Sequence, residues 1–395
     1  MNDQRGKTAF VGIGEVPTGR HPETAAIYHA IESAKLAIRD AGIDKDEIDY
    51  VMPTASLYSP AFNTELVTCR VVEELGLKNC KKNCQVFSGG SSSSNALTLG
   101  AGLIETGAAK NILFVHSDRL GTGVNMQQGI DLFSTAGISA EWEVPFGQHY
   151  SSIAALATTR YKYETGCTDE EFAAVCVSNR KWAELNPNAF FNKKGITIEE
   201  VMASKMLSTP LRAKQSNMLF DGGAAFILSS AERARDMTDT PVYILGEGGI
   251  VTHFVYSQEP DISRFGWKRA GKEAFEQAGL TPQDIDVAEI YDSYPIYQII
   301  GLEELGFCKR GEAGKLFLNG DTFPGGKLPC TTNGGMLSQG HTGAGGAVAL
   351  LVEAVRQLMG KADKRQVEGA KYAVETATGG TYMDAQVTVL GNQIP

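Results

Sequence analysis

Residues 37–51 read AIRDAGIDKDEIDYV, and residues 274–288 read AFEQAGLTPQDIDVA. The stretches lie 237 positions apart (274 − 37) in a chain of 395 residues. Each closes a helical pattern at a glycine and then enters a short strand. A glycine just past the last helical residue takes the left-handed turn that stops a helix without steric cost. A glycine-rich turn into a further helix follows each copy: SGGSSSSNAL from Ser88 and NGGMLSQGHTGAGGAVALLVEAV from Asn333. Self-similarity at a fixed distance marks a duplicated unit. Here the unit alternates strands and helices, which predicts parallel pairing in both halves.

Two segments fall outside the repeat. Residues 119–217 include WEVPFGQHYSSIAALATTRYKYETG and the polar helical stretch EEFAAVCVSNRKWAEL. Their texture is that of an inserted loop domain. MLFDGGAAFILSS (Met218 to Ser230) then reads as a turn and a buried strand that complete the first half. The expected organisation is 1–240, carrying the insert at 119–217, and 241–395. No low-complexity linker separates the halves, so they are expected to pack as one unit.

Composition narrows the function. With 43% apolar and 21% charged residues the chain is of the soluble globular type. A net charge of −10, without a basic block, argues against nucleic-acid binding. No run of 18 apolar residues predicts a membrane span. The start, MNDQRGKTAFVGIG, enters a strand with no apolar leader, so a cytoplasmic location is expected. Seven scattered cysteines read as reduced thiols. Cys80 and Cys84 have no second pair nearby, so no metal site is expected.

Four stretches resemble the thiolase superfamily in its sterol-carrier-protein-type branch. The Gly90 to Gly107 spacing followed by NILFVHSD resembles that family's nucleophile helix and the strand after it. NGGMLSQGHTGAGG resembles the turn presenting an active-site histidine, here His341. YDSYPIYQIIGLEELGFCKRGEAG (Tyr291 to Gly314) resembles the segment of the Asn-containing loop, and TATGGTYMDAQVTVL (Thr376 to Leu390) stands where a Cys-Gly-Gly loop belongs. The resemblance covers nearly the whole chain. It implies an α/β thiolase fold: two duplicated βαβαβ halves in a five-layer αβαβα arrangement with an inserted loop domain.

The chemistry departs from the family. Its acylated cysteine stands 17 residues before the second glycine, and 107 − 17 lands on Gly90. Its second cysteine falls on Ala377, and the Asn loop has become Tyr291–Asp292–Ser293–Tyr294. The histidine survives. By the resemblance His341 is a base or a donor to a thioester oxygen, and its glycine-rich setting suits close approach to a ligand. Tyr382 is a proton donor or acceptor, or else core packing. One of Tyr291, Asp292 and Tyr294 is expected to face the pocket. Gly90, Ser88 and Ser91 open a helix whose free N–H groups can hold an oxyanion, or the serines merely cap it. Gly380 allows close approach to the ligand. His253 either reaches the pocket or is a hydrogen-bonded surface histidine. Cys330 is the remaining candidate thiol, with small-residue packing the blander reading.

Three functions fit. The first is cleavage of a bulky β-oxoacyl-CoA, aromatic ones included, by direct attack of CoA without a covalent cysteine, as in a benzoylsuccinyl-CoA-type thiolase. Replacing cysteine by glycine would then open space at the reacting centre. The second is retro-aldol cleavage of a β-hydroxyacyl-CoA, as in steroid side-chain-cleaving aldolases. The third is a non-catalytic acyl-CoA-binding subunit. The resemblance also implies a CoA thioester as substrate with no permanently bound cofactor, a homodimer, and a small zinc-ribbon/OB-fold accessory subunit that would carry any zinc.

Overall fold

The computed structural model describes residues 5–54, 67–133 and 137–395. Its centre is a sheet of nine strands. The first half supplies β1 (Thr8–Glu15), β2 (Tyr50–Pro53), β3 (Lys82–Asn83), β4 (Asn111–Arg119) and β5 (Asp221–Ser230). The second supplies β6 (Val242–Val251), β7 (Val287–Glu289), β8 (Tyr372–Ala377) and β9 (Asp384–Gly391). Their order is β3-β2-β4-β5-β1-β6-β9-β8-β7. The halves meet where β1 pairs antiparallel with β6 over Ala9↔Tyr243 and Phe10↔Val242.

Outward from that seam the halves match: β1 with β6, β5 with β9, β4 with β8, β2 with β7. Pairing within each half is mixed, not parallel throughout. β2–β4 and β7–β8 are parallel. The last strand of each half, β5 or β9, returns antiparallel between its neighbours. Both follow their predecessors without a crossover helix on the sheet, so the parallel expectation fails there.

Helix α1 (Ala26–Ala41) packs on β1, β4 and β5. Helix α2 (Ser92–Glu105) precedes β4. In the insert, α3 (Tyr150–Thr165) and α4 (Asp169–Leu185) are followed in the second half by α5 (Trp267–Ala278), α6 (Pro295–Leu305) and α7 (Gly346–Leu358). Helix α5 packs on β6 and β9 as α1 packs on its own half. Helices α2 and α7 touch each other, and each reaches strands of both halves. The layers run α1, first sheet, α2 with α7, second sheet, α5.

The duplication is visible at the level of atoms. A Cβ on Gly12 of β1 would stand 2.4 Å from the Ala37 carbonyl oxygen of α1. A Cβ on Gly246 of β6 would stand 2.1 Å from the Ala274 carbonyl oxygen of α5. Ala37 and Ala274 are equivalent positions of the repeat. In both halves the outer helix sits so close to its first strand that only glycine fits beneath it.

Candidate active site

The turn before α2 is built from its own serines. Ser92 Oγ donates to the Gly89 carbonyl at 2.6 Å and accepts from the Ser88 N–H at 3.0 Å. Ser91 Oγ donates to the Ser88 carbonyl at 2.8 Å, and Ser88 Oγ accepts from Asn95 Nδ2 at 2.8 Å. The hydroxyls of Ser88 and Ser91 are thus committed to the turn, against their expected place at an oxyanion.

Gly90 does not border open space. A Cβ there would lie 2.4 Å from the Thr378 carbonyl oxygen and 2.9 Å from the Tyr291 phenol oxygen. The space expected from loss of a cysteine is therefore filled. A phenol stands where a thiol would be. Gly379 and Gly380 form the facing wall: a Cβ on Gly89 would be 3.3 Å from the Gly380 amide nitrogen, and one on Gly379 2.3 Å from the Ser88 carbonyl oxygen. Gly380 itself has φ +55 and backs onto Met383.

Tyr382 lies in the turn between β8 and β9, not in a strand. It takes φ +66, in the left-handed region that side chains rarely occupy. Its phenol oxygen is buried with no hydrogen-bond partner among the described residues. Its ring stacks on Phe265 at 4.7 Å and packs against Tyr297 at 4.2 Å and Tyr256 at 6.2 Å between centroids. A buried orphan hydroxyl on a strained residue marks a place kept for a ligand or water. Burial, then the phenols of Tyr294, Tyr256, Tyr291 and Tyr150, push the Tyr382 phenol well above its ordinary value. Tyr291 is raised mainly by burial, then by Tyr150.

Tyr294 precedes α6 and its phenol shares a 2.9 Å hydrogen bond with Ser151 Oγ at the start of α3. Asp292 faces away from this cluster. It accepts from the N–H groups of Met336 (2.8 Å) and Leu337 (3.1 Å) and from Asn179 Nδ2 (2.7 Å). Burial pushes its carboxyl up to about 7 against those three donors. Asp292 therefore fixes the turn leading to His341 instead of facing a substrate, because the shared loop points alternate side chains in different directions.

His341 is buried beside His116 of β4. The Gly343 N–H donates to His341 Nδ1 at 3.1 Å, so the neutral ring carries its proton on Nε2. Nε2 lies 3.3 Å from where a Cβ on Gly346 would stand, at the start of α7. Burial, then His116, lowers His341 to about 4. It is a neutral N–H donor near pH 7. His116 Nε2 donates to the Thr342 carbonyl at 2.8 Å and so holds the turn.

His253 and Cys330 fall outside the cluster. His253 bonds the Thr381 carbonyl through Nε2 at 3.1 Å, while Nδ1 faces Thr252 Oγ1 at 2.8 Å. Both ring nitrogens are occupied. Cys330 is fully buried, burial pushes its thiol up, and its Sγ sits 3.6 Å from Thr331 Oγ1. It packs the floor under β7. Tyr150, Tyr256, Tyr297 and His116 were not singled out from sequence. Only His116 carried a signal, as a histidine ending an apolar strand.

The four stretches meet. The Ser88–Gly90 turn touches Tyr291 and the Thr378–Gly380 loop. Asp292 bonds the Met336–Leu337 turn, and α2 touches the Gly343–Gly345 turn after His341. The Ser88–Gly90 turn, the Tyr291 phenol and the Thr378–Gly380 loop stand together, and phenols and a helix N-terminus are groups that can move protons and hold an oxyanion.

Known proteins resemble this chain over its length. The family profile described as "Thiolase C-terminal domain-like" matches residues 248–392. An acetyl-CoA acetyltransferase of Methanothermobacter thermautotrophicus is 32% identical, over 96% of this chain and 98% of its own. A steroid side-chain-cleaving aldolase of Thermomonospora curvata is 29% identical, over 95% and 96%. The solved "Ltp2-ChsH2(DUF35) aldolase" superposes with a TM-score of 0.86 at 28% identity, over 98% of both chains. With that identity to the acetyltransferase across nearly all of both chains, and the phenol-for-thiol exchange at Gly90 as its departure, the protein belongs to the thiolase superfamily.

Proposed function

We propose that the chain cleaves a carbon–carbon bond in a β-hydroxyacyl-CoA by a retro-aldol reaction. The observation that supports this is the crowding at Gly90: a side chain there would meet the Thr378 carbonyl at 2.4 Å and the Tyr291 phenol at 2.9 Å, so the position suits neither a nucleophile nor the acyl group it would carry. A lyase needs neither.

Burial keeps both Tyr291 and Tyr382 protonated, so proton transfer runs as a neutral relay. The substrate's β-hydroxyl proton passes to the Tyr382 oxygen as that phenol's own proton moves toward the α-carbon. The Cα–Cβ bond breaks, the β-carbon becomes a carbonyl, and the bond's electrons form the thioester enolate. The Nε2–H of His341 and the N-terminus of α2 hold the enolate oxygen. The α-carbon takes the proton that Tyr382 gives up, releasing a shorter CoA ester. Charge is neither gained nor lost.

Direct thiolysis of a β-oxoacyl-CoA is the second reading, and the retained His341 favours it. Two assemblies support either. The outer edge of β3 is unpaired among the described residues, as a sheet continuing into a second copy requires. A small accessory protein, as in the solved aldolase complex, suits the exposed Trp142 (72%) and Phe146 (85%), which flank a groove of about 270 Å³ ending at Tyr256.

The test supplies 3-hydroxy-3-phenylpropanoyl-CoA, polycyclic β-hydroxyacyl-CoA esters and benzoylacetyl-CoA, with and without CoA and with any zinc-ribbon protein encoded beside the chain. Products are read by mass spectrometry. Carbonyl and acetyl-CoA formed without added CoA are expected. Cleavage of the β-oxo ester only when CoA is present would establish thiolysis instead, and binding without cleavage would leave an acyl-CoA-binding subunit.

A further inference from the structure

The carbonyls on either side of Tyr382, those of Thr381 and Met383, are held by two neighbouring residues just past the end of β6. The Thr381 carbonyl accepts from His253 Nε2 at 3.1 Å. The Tyr382 carbonyl lies 3.4 Å from Thr252 Oγ1. The Met383 carbonyl accepts from the Thr252 N–H at 2.8 Å and lies 3.2 Å from its hydroxyl. A carbonyl only accepts, so His253 must carry a proton on Nε2. Its other nitrogen faces Thr252 Oγ1 at 2.8 Å and Glu259 Oε2 at 3.3 Å. Nδ1 accepts the threonine hydroxyl in the neutral ring and donates to Glu259 in the charged one. The bond to Thr381 persists in both states.

This matters because of what sits between those carbonyls. Tyr382 holds φ +66, a conformation that a non-glycine residue keeps only when its surroundings fix it. Phe265, Tyr297 and Tyr256 fix the ring, while nothing among the described residues binds its buried phenol oxygen. The ends of the loop have separate anchors. Gly379 N–H donates to Asp384 Oδ1 at 2.6 Å, Thr378 Oγ1 to the Asp384 carbonyl at 2.7 Å, and Thr381 Oγ1 to the Gly137 carbonyl at 2.6 Å. Those anchors stay when His253 is removed, so the loop keeps its fold and loses only its fine setting.

We propose that Thr252 and His253, with Glu259 behind them, are positioning residues that hold Tyr382 in its left-handed conformation and so set its phenol at the reacting centre. The proposal rests on the reading that Tyr382 takes part in the reaction.

The experiment uses the full chain, with its accessory protein if activity requires one, and the β-hydroxyacyl-CoA of the panel that turns over fastest. His253→Ala is expected to lower kcat by about tenfold to a hundredfold, as misplacement of a reacting group by about 1 Å does, with KM within about twofold. His253→Gln, whose amide can donate to the same carbonyl, should recover most of that loss. Thr252→Val, keeping its N–H, should lose less than His253→Ala. In a Tyr382→Phe background His253→Ala should add less than about twofold, since residues acting through one group are not additive. Equal losses in both backgrounds, or no loss in the wild type, would overturn the proposal. Hydrogen exchange reads the clamp without any substrate: amides of residues 378–384 should exchange faster in His253→Ala and not in His253→Gln, and unchanged exchange overturns it as well. Full activity of Tyr382→Phe would sink the role of Tyr382 itself, leaving exchange to judge the clamp alone.

Discussion

A side chain at position 90 would meet the Thr378 carbonyl at 2.4 Å and the Tyr291 phenol at 2.9 Å. A backbone carbonyl cannot swing aside as a flexible side chain can, so overpacking should cost about 1–3 kcal/mol. Gly90→Ala should therefore lower the unfolding free energy from urea titration by that amount, and Tyr291→Phe in the same chain should restore part of it. Gly90→Cys should be equally destabilised and form no acyl-enzyme with a CoA ester in intact-mass spectra. Recovery of a stable acyl-cysteine would mean the Tyr291 phenol does not own that space. His341 carries a second prediction at this scale. Its folded value is lowered from the ordinary 6.5 to about 4. A group lowered in this way stays neutral until the pH falls through the lowered value. The pH–kcat profile should therefore lack a histidine limb near 6.5 and fall only near pH 4. His341→Ala should lose about 10²–10³ in kcat, the usual loss for one oxyanion donor. A limb at 6.5 that vanishes in that variant would make His341 a base instead.

Strands β7 and β8 place Glu289 directly beside Glu375, with both residues fully buried. Glu289 Oε1 accepts from the Thr332 N–H and hydroxyl at 3.0 and 2.7 Å, its Oε2 has no hydrogen-bond partner among the described residues, and the Thr388 side chain is the polar group beside Glu375. Glu353 takes the counter-charges, pairing with Arg365 at 2.7 Å and Arg356 at 3.2 Å. Burial, then Glu353, pushes Glu289 up to about 8, and burial, then Glu289, raises Glu375 well above its ordinary value. Groups raised on folding bind protons more tightly in the native state than in the unfolded chain. Their contribution is complete below about pH 4.5 and is lost as the pH rises through 8. Urea midpoints should fall between pH 5 and 9, and Glu375→Gln, neutral at every pH, should flatten the decline. An unchanged slope would mean the pair does not titrate in this range. Neither carboxyl was legible in the sequence, since nothing in VAEIY or VETAT says that the two strands pair in that register. The same holds for Asp292. YDSY shows three candidate groups, and only the fold reveals that the middle one is spent on the Met336–Leu337 turn. Elements whose signal is local, such as the Gly42 and Gly279 helix stops and the Gly turn before His341, were readable. Contacts made across two hundred residues were not.

At the scale of the molecule the duplication was readable because each copy carries its own strand, helix and glycine stop. What joins the copies was not, because the joining contacts repeat no pattern. They comprise two residue pairs between β1 and β6, the α2–α7 layer, and a polar seam in which Glu15 of β1 bonds Arg356 of α7 at 3.0 Å. Backbone hydrogen bonds cross between the halves as well, Phe220 N–H to the His341 carbonyl at 2.9 Å among them, and beside them lies an apolar face. Val348, Leu351, Val352 and Val355 of α7 lie in one cluster with Phe10, Ala224 and Phe226 of the first half. A chain of residues 241–395 alone would leave that face of α7 in water. At about 1.5–3 kcal/mol for each large side chain left unburied, the loss rivals the whole stability of a domain, about 5–15 kcal/mol. Residues 241–395 should thus be insoluble or lack fixed side-chain packing when expressed alone, with near-ultraviolet circular dichroism lost. Co-expression with residues 1–240 should restore it. A soluble, cooperatively melting second half would show that the repeats are autonomous folds. The proposed reacting centre lies where Gly90 of one half meets Tyr291 of the other. Activity should therefore return only with the reassembled pair.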